Sequence, residues 1–302
     1  MKSDGKIDEE ESKKLEFVKK LIFDNSKIEE KEIKEKEETL EEVMNQINNL
    51  IGMENIKNEI KTLINLIKIK KERLERKLPT PEISLHSVFF GPPGTGKTTI
   101  ARLLGKVYKC LGLLNKGHLI ETDRAGIVAG YVGQTAIKTD EVIQKSIDGI
   151  LFIDEAYTLA RSEQGKDFGQ EAIDTILKRM EDYRDRLVII VAGYTDEMEK
   201  FIYSNPGLKS RFNRYFYFDH YKPEELIKIF EMFAQKGGYK LSEEAKNKLS
   251  NIFNNLYEKR DKSFGNARLA RNIFEKAVEK QANRISSISP LTDEILCLLE
   301  KD

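Results

Sequence analysis

Two stretches of the chain carry the residue types that phosphate chemistry requires. In Gly91-Pro92-Pro93-Gly94-Thr95-Gly96-Lys97-Thr98, followed by Thr99, the glycines let a loop wrap with its N–H groups turned inward. Lys97 can then reach the β- and γ-phosphates of a nucleotide, and the Thr98 hydroxyl can sit on Mg2+. Such a loop needs a strand before it and a helix after it, because the helix start adds positive potential to the amide donors. Downstream, Ile150-Leu151-Phe152-Ile153-Asp154-Glu155 is an apolar run that ends in two carboxylates. Adjacent acids at the end of a buried strand are costly unless they meet a metal ion or water. Asp154 suits the Mg2+ shell, and Glu155 suits polarising an attacking water. Alone, the first stretch could be a glycine-rich turn and the second a solvated strand end. Together they predict binding and hydrolysis of ATP with Mg2+, and they argue against a nucleotide kinase, which has no need to activate water.

These residues work only if strands and helices present them. Short apolar runs at Ser87–Phe90, His118–Glu121, Ile150–Ile153, Leu187–Val191 and Tyr215–Phe218 alternate with amphipathic helical stretches, which predicts an α/β fold with five parallel strands. From Tyr221 onwards only helical patterns are visible, predicting a separate helical domain over 221–302. Ser242 ahead of Glu243 and Glu244 reads as a helix start within it. Upstream, Leu40, Val43, Met44 and Ile47, then Ile56, Ile60, Leu63, Ile64 and Ile67, recur at helical spacing with a break near Gly52. The heptads are not sustained, so this stripe predicts a helical pair packed on the next domain rather than a free coiled coil. That makes 41–220 an α/β domain with leading helices. Residues 1–40 are dominated by charge and read as a mobile or loosely helical segment.

Bulk properties narrow the function classes. Lysine plus arginine and aspartate plus glutamate each number 51 in 302 residues, so the formal charge is zero and nothing global draws the chain to nucleic acid. Cys110 and Cys297 lie far apart in apolar, helix-like contexts and read as reduced core residues. The amino terminus lacks a signal-peptide pattern, and no apolar run approaches the roughly 18 residues of a membrane span. The expectation is a cytoplasmic protein with no membrane partner and no nucleic-acid partner.

From about Leu50 to Arg284 the chain resembles the CbxX/CfqX branch of the AAA+ ATPases. The resemblance rests on the phosphate loop and acid pair together with RAGIVAGYVGQT at 124–135, DFGQEAIDTILKRMED at 167–182, AGYTDEMEKFIYSNPGLKSRF at 192–212 and FGNARLARNIFEKA at 264–277. It implies a three-layer P-loop sandwich on the five-stranded parallel sheet, plus a C-terminal helical lid. Tyr131-Val132-Gly133 is similar to the triplet that lines a ring's central pore; read from the residues alone, it is a glycine-flanked aromatic turn packing on the core. Arg211 resembles an arginine finger inserted into a neighbour's site, with Arg214 as its competitor and a helix-capping surface arginine as the plain alternative. Arg268 resembles the sensor that reaches from the lid to the γ-phosphate, with Arg271 one helical turn away. Where many relatives in the wider family carry an asparagine after the fourth strand, this chain offers Tyr194 or Thr195, of which Thr195 could hydrogen-bond a water. The resemblance also places the adenine near Ile51 and Gly52.

Two functions follow as expectations. The first is a homohexameric motor that couples ATP hydrolysis to remodelling a protein substrate through a central pore. The second is a nucleotide-dependent scaffold that recruits partners without threading them.

Overall fold

The computed structural model describes residues 38–131, 133–160 and 168–301. The charged segment expected over 1–40 lies almost wholly outside these residues, as does Val132. Two helices lead the described chain, α1 (Leu40–Asn48) and α2 (Glu54–Glu75), broken at Gly52 and Met53, whose φ values are 65° and 60°. The α/β part continues with β1 (Ser87–Phe90), α3 (Lys97–Cys110), β2 (Leu119–Thr122), a single helical turn α4 (Arg124–Ile127), α5 (Thr135–Lys145) and β3 (Gly149–Ile153). A 3-10 turn, Ala156–Ala160, leads towards α6 (Phe168–Asp182), followed by β4 (Leu187–Gly193), α7 (Thr195–Ser204), α8 (Pro206–Arg211) and β5 (Arg214–Tyr217).

The five strands are all parallel and lie in the order β2-β3-β4-β1-β5. Their residues alternate between two cores because successive side chains leave a strand on opposite faces. Phe89, Ile150, Phe152, Val188 and Ile190 face a core shared with Ile56, Ile60, Ile100 and Leu104 of the leading helices and α3. Val88, Phe90, Leu151, Ile153, Ile189 and Val191 face the other, shared with Ile143, Ile173, Ile176 and Phe201. With both faces covered, the central strands read as unbroken apolar runs in the sequence. The stripe on α2 is spent on the first core. Strand limits differ from expectation by one or two residues, as at β2 and β5.

The helical part comprises α9 (Pro223–Lys236), β6 (Lys240–Leu241), α10 (Glu243–Glu258), α11 (Ala267–Ile285), α12 (Asp293–Cys297) and β7 (Leu298–Leu299). Ser242 caps α10, its hydroxyl accepting from the Ala245 amide at 3.1 Å. One expectation is corrected: the part is not purely helical, since β6 and β7 pair in parallel, Lys240 with Leu298 and Leu241 with Leu299. The Gln281 amide nitrogen lies 3.2, 2.9 and 3.0 Å from the carbonyls of Ile295, Leu296 and Leu298. Those contacts tie the end of α12 and the start of β7 to α11, and a two-residue strand is too short to leave a periodic trace. Among the described residues no helix is long and apolar enough to cross a membrane.

Candidate active site

Because all strands point the same way, the carboxyl ends of β1, β3 and β4 deliver their following residues to one edge of the sheet, the place where open parallel sheets hold ligands. A cavity of about 250 Å³ lies there. Gly91, Gly94, Gly96, Lys97 and Thr98 form one wall, Asp154 and Glu155 a second, and Gly193 with Tyr194 a third. The loop is anchored by the Gly91 amide, which donates to the Gly193 carbonyl at 3.0 Å. Gly94 lies so close to the lid that a Cβ there would collide with the Gly265 carbonyl oxygen.

Lys97 opens α3, and its Nζ donates to the Gly91 and Pro92 carbonyls at 2.8 Å each. Burial pushes its pKa down to about 8, against the pull of the Asp154 and Glu155 charges, with Arg268 adding to the depression. Thr98 donates to a carboxylate oxygen of Glu121 on β2 at 3.2 Å. The Asp154 amide donates to the Thr122 carbonyl, while its carboxylate accepts from the Glu155 amide at 3.0 Å. Glu155 is exposed and sits at φ 47°, a left-handed backbone that a non-glycine residue holds under strain and that is concentrated at functional sites.

The lid completes the cavity. Arg268, in the first turn of α11, lines it, whereas Arg271 stands over the Phe233 ring at 5.1 Å. Of the two residues that follow β4, Tyr194 lines the cavity, and Thr195 is the first residue of α7 beside it. Tyr194 is extended and caps that helix. Ile51 packs on the lid core beside Met53, and Gly52 lies against the Glu225 carboxylate of α9. Met53 in turn reaches Gly96, so the 51–53 segment bridges phosphate loop and lid.

The remaining expected site residues among those described lie elsewhere. Arg211 and Arg214 flank the start of β1: Ser84 donates to the Arg211 carbonyl at 2.9 Å, and Arg214 Nε donates to the Ser84 carbonyl at 3.1 Å. The phosphate loop leaves the other end of that strand. Arg211 Nε is buried without a hydrogen-bond partner among the described residues. Tyr131 sits between α4 and α5 with 74% of its surface exposed, so the ring is not packed on the core. Gly133, two residues on, has φ 79° and open space where a Cβ would stand.

Sequence reasoning missed Glu121, Met53 and Glu225, Tyr221, whose hydroxyl donates to the Thr95 carbonyl at 3.4 Å, and above all Asn266, whose Nδ2 donates to the Pro93 carbonyl at 3.0 Å and so ties the lid to the loop. The only signal for Asn266 was its place beside Gly265 in the stretch already singled out for Arg268.

A phosphate loop at the end of one central strand, paired acids at the end of another, and a lid arginine closing the cavity are the arrangement of an AAA+ ATPase. Residues 87–220 match the family described as "ATPase family associated with various cellular activities (AAA)", and residues 222–302 match the "AAA lid domain". Stage V sporulation protein K of Bacillus subtilis is 43% identical over 247 residues, covering 82% of this chain and 76% of that protein. A CfxQ homolog of Galdieria sulphuraria is 41% identical over 273 residues, covering 88% of both chains. The chain therefore belongs to the AAA+ ATPase family, in its CbxX/CfqX branch. The FIGL-1 AAA domain in complex with ADP has the same fold, with a TM-score of 0.54 at 16% identity over 84% of this chain and 80% of that one.

Proposed function

We propose that this ATPase acts as a homohexameric ring that remodels a protein, each nucleotide being held between one subunit and Arg211 of the next. The observation that carries this reading is the position of Arg211: it lies at the far end of β1 from its own cavity, with a buried and unpartnered Nε. A guanidinium placed away from its own phosphate loop supports a role towards a phosphate held by another copy of the chain.

Within one subunit the roles divide by chemistry. The amides of the 91–98 loop and Lys97 hold the phosphates, with Pro92, Pro93, Thr95 and Thr99 shaping the loop, and Arg268 approaches the γ-phosphate from the lid. Thr98 and Asp154 offer a hydroxyl and a carboxylate, a hard oxygen set that fits Mg2+, which takes its remaining ligands from phosphate and water. When bound, Mg2+ neutralises charge developing on the phosphate oxygens. Glu155, exposed at the cavity wall, orients and deprotonates the attacking water. Tyr194 at the cavity wall and Thr195 at the start of α7 are the residues after β4 that stand beside that water. Ile51 and Gly52 contact the adenine. Tyr131, Val132 and Gly133 form the loop that grips substrate, and the exposure of Tyr131 supports this role.

The test uses Glu155→Gln, which retains nucleotide without turnover. Imaged with ATP by negative-stain microscopy, it should form closed six-membered rings; a monomer under these conditions would overturn the assembly. Tyr131→Ala should hydrolyse ATP at the unsubstituted rate yet fail to unfold a tagged protein substrate. Intact remodelling by that variant would remove the threading step and favour the scaffold.

A further inference from the structure

Asn266 is fully buried and precedes α11 with φ 51° and ψ −120°, a corner glycine enters freely and other residues hold under strain. The Arg268 amide donates to the Gly265 carbonyl at 2.9 Å, closing a type II′ turn with Asn266 at its first central position. The side chain explains why glycine does not stand there. Its Nδ2 donates to the Pro93 carbonyl at 3.0 Å and the Phe264 carbonyl at 2.9 Å. Its Oδ1 accepts from the Tyr221 amide at 3.1 Å and lies 3.3 Å from His220 Nδ1. The next residue continues the contact, the Ala267 amide donating to the Gly94 carbonyl at 3.1 Å. One carboxamide thus joins the phosphate loop, the connection between the α/β and helical parts, and the start of the lid helix.

The direction of these bonds matters. In a planar trans peptide the C=O and N–H point in opposite directions. With the Pro93 carbonyl held towards the lid by Asn266, the Gly94 N–H is turned the other way; with the Gly94 carbonyl held by Ala267, so is the Thr95 N–H. These are donors that a phosphate in the loop would meet.

We infer that Asn266 is a positioning residue: it orients the loop amides for the β-phosphate and makes the loop's grip on phosphate depend on the docked lid. This inference rests on the proposed ATP site. Arg268 follows two residues later, so the turn that aims the loop also aims the arginine.

The experiment compares ADP and AMP binding, with Mg2+, by calorimetry on the full chain and on Asn266→Gly. Glycine favours the same corner, so the variant should keep its fold while losing the carboxamide. The expected result is an ADP affinity lowered about tenfold with AMP affinity held within about twofold, since only the β-phosphate senses the loop amides. A folded variant with an unchanged ADP-to-AMP ratio overturns the inference. If the unsubstituted chain itself shows no preference for ADP over AMP, the ATP-site reading fails instead. Hydrogen exchange on the unsubstituted chain gives an independent readout that needs no variant. Adding ADP should slow exchange in the 91–98 loop and at 264–268 together, and protection of the loop alone would also overturn the proposal.

Discussion

Lys97 carries a charge that its surroundings hold only partly. Its pKa of about 8 comes chiefly from burial, offset by the acids across the cavity. A bound phosphate favours the ammonium, so binding must take up a proton once the free enzyme has begun to lose it. ATP affinity should therefore be flat below pH 8 and fall above it by up to about tenfold per pH unit, which titration calorimetry at pH 7, 8 and 9 would reveal. A flat profile to pH 9 would mean that Lys97 keeps its proton unaided. His86 shows the opposite behaviour. Its Nδ1 accepts from the Ile189 amide at 3.0 Å, which requires the neutral ring, and burial, with Arg211 nearby, lowers its pKa to about 4. As pH falls, the unfolded chain takes up this proton first, near pH 6.5, so stability is lost progressively from there towards pH 4, on the order of 3 kcal/mol in all. His86→Gln, which can still accept from Ile189, should show a shallower fall of the thermal midpoint between pH 7 and 4.5. Identical acid slopes would assign the loss to carboxylates instead.

At the scale of elements, the lid depends on a strand of two residues. Gln281 is buried and gathers three carbonyls around β7, while Leu299 fills the lid core. Gln281→Ala should strand those carbonyls and destabilise the lid by about 1–3 kcal/mol. Chemical denaturation followed through hydrogen exchange at the lid amides of 267–285 should show the loss, and an unchanged midpoint would show that water replaces the amide. This contact also marks where the sequence stopped being readable. The five strands were legible because both faces of the sheet are covered, leaving apolar runs, and the phosphate loop and acid pair were legible because their chemistry is local. The β6–β7 pair was not, since it is set by a glutamine more than a dozen residues away. Asn266 was hidden for the same reason: its four partners come from segments around residues 93, 220 and 264, and only folding brings them together.

At the scale of the whole molecule, the reading of Arg211 makes each active site the property of two chains. Arg211→Ala leaves a subunit with an intact Glu155 but nothing to lend its neighbour; Glu155→Gln leaves a subunit that cannot activate water but can still lend Arg211. Each variant alone should have lost most of its turnover, the first because the finger is absent from every site. Mixed in equal amounts and allowed to exchange before ATP is added, they should recover activity. A site works only where an Arg211→Ala subunit supplies Glu155 and its neighbour, a Glu155→Gln subunit, supplies the arginine. Random placement in a ring puts that ordered pair at about one site in four, so steady-state turnover should approach about a quarter of the unsubstituted rate. An arginine acting within its own subunit predicts no recovery in the mixture, because neither variant then holds a complete site. Arg214 provides the control: its Nε is bound to the Ser84 carbonyl, so an Arg214→Ala partner should give no comparable complementation with Glu155→Gln beyond its own residual rate.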